Sequence, residues 1–339
     1  MDIFTTQFLN GIVDNLLRPQ SFLLDTFFPT VINSDKEEIN FDVATGSRRI
    51  APFVSPLVEG KLVESLGFTT STFKPAYVKD KRVFDPNKAL KRAIGEAIGG
   101  TLTGVDRSRA NVVVETTDQV EMLLRRQEVM ASEAMRAGTV TVSGEGYDTV
   151  IVNYGRDAGH TVVLTGANRW GQTGISPLDD LETWTLAVSK KSGAYPNKVV
   201  MDIDAWKQFR ADPRVKDILD IRRASPASSA ELATNTDTGG MLQATIGSQE
   251  IWTYNEWYIN DSGTEVPMLP SGTVILGSNR IDGVRHFGAI RDERAGYQAR
   301  EFFSKSWLQE DPAVRFLMMQ SAPLVVPYRP NASFAATVL

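Results

Sequence analysis

The chain has 339 residues, 42% hydrophobic and 23% charged, which is ordinary for a globular protein and enough for about two domains at roughly 150 residues each. A net charge of -5 lacks the basic footprint of a nucleic-acid coat, and the absence of cysteine excludes disulfides, thiolate chemistry and every cysteine-containing zinc site. The first residues carry Asp2 and Asp14 and no basic stretch, and no apolar run approaches the roughly 20 residues of a membrane span, so neither a secretory signal nor an anchor is expected and the setting reads as cytoplasmic.

Residues 1 to 28 begin with Phe8, Leu9, Ile12, Val13, Leu16 and Leu17 on one helical face, interrupted at Pro19. A second apolar cluster, Phe22, Leu23, Leu24, Phe27 and Phe28, closes at Pro29. From Ile50 to Arg92 strand-type residues (Val54, Leu57, Val58, Leu62, Val63, Phe68, Phe73, Tyr77, Val78, Val83, Phe84) are scattered among Ser, Thr, Gly, Lys and Pro. That composition suits a long two-stranded arm, and an isolated hairpin is marginal in water, so the arm needs a surface to lie on. Asp106 to Ala137 has no Pro or Gly and repeats apolar residues at Val113, Val120, Leu123, Leu124, Met130, Ala131 and Ala134, predicting one helix of about 48 Å that stops at Gly138. Glu121 with Arg125 and Glu133 with Arg136 fall at spacings that pair on a helix surface.

TVTVSGEGYDTVIVNYG then reads as a β-hairpin turning at Ser143 to Gly146. DDLETWTLAVSKK is a helix opened by acids that suit its dipole, NKVVMDI a buried strand, and DAWKQFRADPRVKDILDIRR further helix. ASPASSAELATNTDTGG is loop-like. Strands follow at EIWTYNEWYI and TVILG, then IDGVRHFGAI and RFLMMQSAPLVVP. Helices and strands without a regular βαβ rhythm predict an α+β fold.

VSPLVEGKLVESLGFTTSTFKPAYVKDKRVFDPNKALKR closely resembles the corresponding part of the lambda-type major capsid proteins of tailed bacteriophages. The likeness returns in SGEGYDTVIVNYGR, VVMDIDAWKQF, VKDILDIRR, MLPSGTVILG and QSAPLVVP, collinear over nearly the whole chain. The resemblance implies the HK97-like capsid fold: an N-terminal arm over 1-48, an extended hairpin loop over 49-92, a peripheral (P) domain with a long spine helix over 93-176, an axial (A) domain over 177-300, and a return to the P domain over 301-339. It implies self-assembly into pentamers and hexamers of an icosahedral shell around double-stranded DNA, with precursor-shell expansion on maturation. Scaffold, portal, maturation protease and decoration protein are the expected partners, the bacterial host cytoplasm the site of assembly and the virion head the destination. On this reading the first 28 residues form an arm docking on neighbours; on pattern they form an ordinary core helix. Relatives that cross-link their shells use a lysine and an asparagine; Lys61, Lys74, Lys79 and Lys81 lie in or near the loop, but nothing in the sequence identifies a matching asparagine or an acidic catalyst, and cross-linking is not predicted.

No catalytic, cofactor or metal site is assigned. His160 and His286, the only histidines, lie outside any metal-ligand spacing. Gly166, Gly171 and Gly174 read as turn chemistry around Asn168 and Trp170. Asp202 and Asp204 could hold a divalent ion as paired carboxylates, which keeps a cytosolic metal-dependent enzyme as the alternative from another class; the structural reading makes Asp204 a cap for the AWKQF helix. Asp179, Asp180 and Glu182 read as a helix start. Lys61, Lys74, Tyr77, Lys79, Lys81 and Arg82 are the candidate inter-subunit contacts. The basic cluster Lys74, Lys79, Lys81, Arg82, Lys88, Lys91 and Arg92 could touch phosphate backbones or form a solvated face; the resemblance implies instead that it pairs with acids such as Asp35, Glu37 and Glu38 on adjacent copies, acting on register and rate. A prophage-derived particle or a nanocompartment shell of the same fold is the runner-up within the structural class.

Overall fold

The computed structural model describes residues 4–16, 21–36, 38–45, 50–51, 53–56, 59, 67–84, 102–144, 146–217, 239–311 and 314–339. Pro19, Glu37, Lys61 and most of the serine- and threonine-rich stretch before Gly239 lie outside them.

In chain order the elements are α1 (Thr6–Asn15), α2 (Phe22–Phe27), β1 (Thr30–Ser34), β2 (Ile39–Thr45), β3 (Gly67–Phe73), β4 (Val78–Phe84), α3 (Gly104–Ala137), β5 (Thr139–Gly144), β6 (Tyr147–Asn153) and β7 (Thr161–Val163). There follow α4 (Pro177–Ser192), β8 (Lys198–Met201), α5 (Ile203–Ala211), β9 (Gly240–Ile246), β10 (Gln249–Tyr254), β11 (Trp257–Ile259), β12 (Glu265–Pro267), β13 (Thr273–Gly277), β14 (Gly283–Gly288), β15 (Phe303–Gln309), β16 (Val314–Ser321), β17 (Pro323–Pro327) and β18 (Phe334–Thr337).

The long helix α3 forms where the apolar period places it, starting two residues earlier than predicted because Thr103 and Asp106 make a capping box. It spans 34 residues, about 50 Å at 1.5 Å per residue. Gly138 ends it in the left-handed conformation, φ +70, with its N–H on the Ala134 carbonyl at 3.0 Å. Val120, Leu123, Leu124, Met130, Ala131 and Ala134 are buried as expected; at the N-terminal end the fully buried residue is Val112, with Val113 half-buried.

A six-stranded mixed sheet, in the order β7-β18-β13-β8-β10-β9, is covered on both faces. Side chains alternate along its strands, so Val199, Met201, Val274 and Leu276 pack with Trp184 of α4 and Phe209 of α5. Val200, Ile275 and Tyr254 face the other way, into a cluster with α2 and the C-terminal half of α3. Burial on both sides explains why VVM and TVILG read as continuous apolar runs. The final strand, β18, lies inside this sheet between β7 and β13.

The smaller sheets complete the α+β architecture. β14 holds β1 in parallel and β17 antiparallel, and β16 holds β15 and β4 antiparallel. A two-stranded arm is present, but its pairing crosses residue 48. β3 pairs with β2, upstream of Ile50, whereas β4 joins β16. The root pair Ile39 and Phe73 is buried in the main cluster, which fixes the register by tying both strands to the body.

Both N-terminal helices pack on their own chain. Leu9 of α1 meets Phe84, Val112 and Leu317, and Val13 meets Val120, Leu124 and Met319. α2 sits deeper, between α3 and the sheets, and its aromatic rings and the Phe27 carbonyl occupy space left by three glycines. A Cβ on Gly240 would lie 2.3 Å from the Phe22 ring, one on Gly277 2.2 Å from the Phe27 ring, and one on Gly283 2.0 Å from the Phe27 carbonyl oxygen. No rotamer change relieves the last. Gly283→Ala is therefore expected to destabilise the subunit by about 2–3 kcal/mol or more. Gly11→Ala, inside α1 and facing open space, should be neutral or stabilising by about 0.5–1 kcal/mol. Urea unfolding midpoints check both; equal effects would contradict the seat.

Candidate assembly surfaces

The connector and strand after the arm carry the basic candidates. The Tyr77 hydroxyl donates to the Ala289 carbonyl at 2.5 Å and accepts from the Arg291 N–H at 3.2 Å, and the Tyr77 N–H donates to the Tyr147 hydroxyl at 3.2 Å. Tyr77 thus joins the arm's exit to the β14 end and to the β5–β6 hairpin, and burial raises its pKa. Along β4, alternation turns Lys79, Lys81 and Val83 to solvent while Asp80 and Arg82 are half-buried. Arg82 reaches Asp80 at 2.8 Å, Glu115 at 2.9 Å and Asp118 at 2.6 Å, an intramolecular brace between β4 and α3. Burial opposes its charge, but the three carboxylates hold its pKa above the ordinary value. Lys79 lies over the Tyr77 ring and Lys81 over the Phe316 ring at 4.1 Å, which orients both ammonium groups while leaving them exposed. Lys74 is exposed as well. Of the acids proposed opposite them, Glu38 is exposed, and Asp35 accepts from the Ala299 N–H of its own chain at 2.6 Å.

Apolar side chains are presented beside these charges. Ile50 is 91% exposed and Phe53 106%, so neither is sheltered by the described residues. Tyr147, Val150 and Ile151 project from the β5–β6 hairpin. An open groove of about 700 Å³ runs between α3 and the β11–β12 hairpin, with Met122, Trp257 and Ile259 along it. Arg126 pairs with Asp261 across it.

The capping role assigned to Asp204 is corrected. Asp202, not Asp204, caps α5: its carboxylate accepts from the Asp204 N–H at 2.9 Å and the Ala205 N–H at 3.2 Å. The helix begins at Ile203, because Asp202, just after β8, is extended (φ -72, ψ 169) and its oxygens reach the free first-turn amides. Asp204 pairs with Lys207 and accepts from Ser271, both at 2.9 Å, which lowers its pKa. Among the described residues no group of three or more metal-ligating side chains converges.

His160 contacts the Ser333 carbonyl through Nδ1 at 3.1 Å and His286 contacts the Tyr328 hydroxyl through Nε2 at 2.9 Å; burial lowers the pKa of both. The loop through Gly166, Gly171 and Gly174 buries Trp170, whose Nε1–H donates to Asp180 at 2.8 Å. Asp179 pairs with Arg214 instead of acting only on the helix dipole. Glu133 accepts from the Thr141 N–H at 2.9 Å, fastening the hairpin to α3.

Two positions escaped sequence reading. Arg156 turns back on the end of α3, donating to the Met135 and Arg136 carbonyls and to Thr161; desolvation pushes its pKa down to about 10. Glu128, in the middle of α3, is buried beneath α2 and accepts from the Leu23 and Leu24 N–H groups and the Tyr254 hydroxyl.

A long helix carrying a hairpin, a two-faced sheet beside it, an arm rooted in the body and exposed apolar segments together define a shell-building subunit of the HK97-like capsid fold. The family model for phage major capsid protein E matches residues 5–338, and the chain belongs to that family. The major capsid protein of Escherichia phage N15 is 30% identical over 98% of each chain, and that of Enterobacteria phage P21 is 31% identical over 96% of each. A prophage capsid protein of E. coli CFT073 has the same fold, with a TM-score of 0.78 at 21% identity over 100% of both chains. The Ralstonia phage GP4 capsid is also similar, with a TM-score of 0.51 at 12% identity, covering 95% of this chain and 92% of its own. The protein is a major capsid protein of the lambda-like tailed phages, a structural component of the virion head whose role is shell assembly with copies of itself.

Arg156→Ala, which strips the fork from the last carbonyls of α3, is expected to cost about 2–3 kcal/mol. Arg156→Lys should recover less than half, since one ammonium does not reproduce the fork. Urea unfolding measures both, and an unchanged midpoint in Arg156→Ala would remove this residue from the account.

Proposed function

We propose that the chain forms the pentamers and hexamers of an icosahedral shell that closes around double-stranded DNA and expands on maturation, with Ile50 and Phe53 lying on an adjacent copy. The observation that carries this reading is the full exposure of Ile50 and Phe53 beside an arm whose root is fixed in the body. Covering two large apolar side chains contributes about 1.5–3 kcal/mol each, and closure multiplies such contacts over many copies, so no single one need be strong.

The basic candidates take part by charge. Lys74, Lys79 and Lys81 reach acids of a neighbour, with Lys61 in the same role, while Arg82 and Tyr77 position β4 and the arm's exit. Rim charges of this type set rate and register more than affinity. With a net charge of -5, the chain encloses DNA without sequence-specific contact. Scaffold, portal, maturation protease and decoration protein are the partners this assembly requires, acting in the host cytoplasm. A prophage-derived particle is the second reading, supported by 31% identity to the P21 prophage-derived major head protein of E. coli; phage-length DNA in purified particles separates the two.

The double variant Ile50→Ser with Phe53→Ser is expected to keep the unfolding midpoint of the unassembled subunit. Shell yield should fall about tenfold or more, because a loss of ~1.4 kcal/mol per contact is already tenfold. Negative-stain microscopy and size-exclusion chromatography with co-expressed scaffold read the yield. Normal shells from this variant would contradict the proposed contact. Lys79→Glu with Lys81→Glu should slow association about tenfold at low salt, with the difference shrinking at about 0.5 M salt, as light scattering would show.

A further inference from the structure

The N-cap residue of α2, Ser21, makes no side-chain cap hydrogen bond to the helix. The cap arrives from α3 instead: Glu128 accepts from the Leu23 N–H at 2.8 Å and the Leu24 N–H at 3.0 Å. Tyr254 of β10 donates to the same carboxylate at 2.8 Å. Glu128 lies under α2 with Phe22 and Leu23 buried around it, and Phe22 stacks on Tyr254 with ring centroids 5.3 Å apart. Among the described residues, the charged and titratable groups that act on it most are Asp25 on α2 and Tyr254 on β10, the latter itself beside Glu256. Three donors return part of the cost of burying a full negative charge, but desolvation is the larger effect. When Glu128 is protonated, its carbonyl oxygen still accepts an amide, and the Tyr254 hydroxyl can rotate to accept the acid proton.

We propose that Glu128 is a proton-controlled latch on α2, seating the helix when protonated and loosening it when ionised. Burial raises its pKa to about 7 from 4.5. The seated state therefore holds a proton that the unseated state has released between those two values, and seating weakens as pH rises through that window. Below it the latch is fully set, and above it no further weakening comes from this group. α2 leads through β1 and β2 into the arm, so unseating acts on the arm's root.

The latch is intrinsic to the subunit and is measured on full-length chain before assembly, so its failure leaves the shell reading untouched. Hydrogen–deuterium exchange of the amides of residues 22–28, normalised for intrinsic exchange, is followed from about pH 5 to about pH 8. Protection should fall by up to about two orders of magnitude, with a midpoint near neutrality. In Glu128→Gln the profile should be flat. In Tyr254→Phe, which removes one donor to the carboxylate, the midpoint should move to higher pH, and this variant decides the matter if Glu128→Gln does not fold. A flat wild-type profile, a wild-type slope retained in Glu128→Gln, or an unmoved midpoint in Tyr254→Phe would overturn the proposal.

Discussion

The seating of α2 is the constraint on which the rest of the molecule depends. Six residues place four buried side chains between the long helix and two sheets, and the seat exists because Gly240, Gly277 and Gly283 give up their side chains to it. Removing one buried phenylalanine from such a site costs about 3–5 kcal/mol, a large share of the 5–15 kcal/mol that holds a domain together. Because α2 contacts α3, the six-stranded sheet and the start of β14 together, it couples the strut, the sheet and the strand that carries β1. The buried acid beneath it, Glu128, is therefore placed where its ionisation reaches several elements.

The molecule divides into a body closed to solvent and segments offered to it. In the body, apolar alternation on both faces of the sheet, the Arg82 brace and the Arg156 cap leave little freedom. The offered side chains, Ile50 and Phe53, Tyr147, Val150 and Ile151 of the β5–β6 hairpin, and Lys79 and Lys81 on the outer face of β4, are exposed among the described residues. A subunit that must fold first and associate afterwards needs both: register fixed at Ile39 and Phe73, and binding side chains kept out of the core.

Much of this was legible in the sequence wherever the signal is local. The period of α3, its stop at Gly138, the β5–β6 hairpin and the apolar runs of β8 and β13 follow from spacing and turn residues. What was not legible depends on partners distant in sequence. Nothing between Ile50 and Arg92 says that β3 pairs with β2 or that β4 pairs with β16, since both are short and mixed in polarity. Asp202 and Asp204 are both plausible caps by residue type, and only the point where β8 ends selects the first. Glu128 reads as one more polar residue on a helix until α2 is laid over it, and Arg156 as a loop cation until it folds back on the carbonyls of α3. The inter-subunit roles of the lysines depend on a second copy, which one sequence does not describe.

The most direct test of the account is a cryo-electron microscopy reconstruction of the assembled particle at side-chain resolution. The account predicts α2 of each subunit in its own glycine-lined seat beside Glu128, with Ile50 and Phe53 buried against an adjacent copy. Ile50 and Phe53 facing solvent in the closed shell, or α2 seated in a neighbour instead of its own chain, would contradict it.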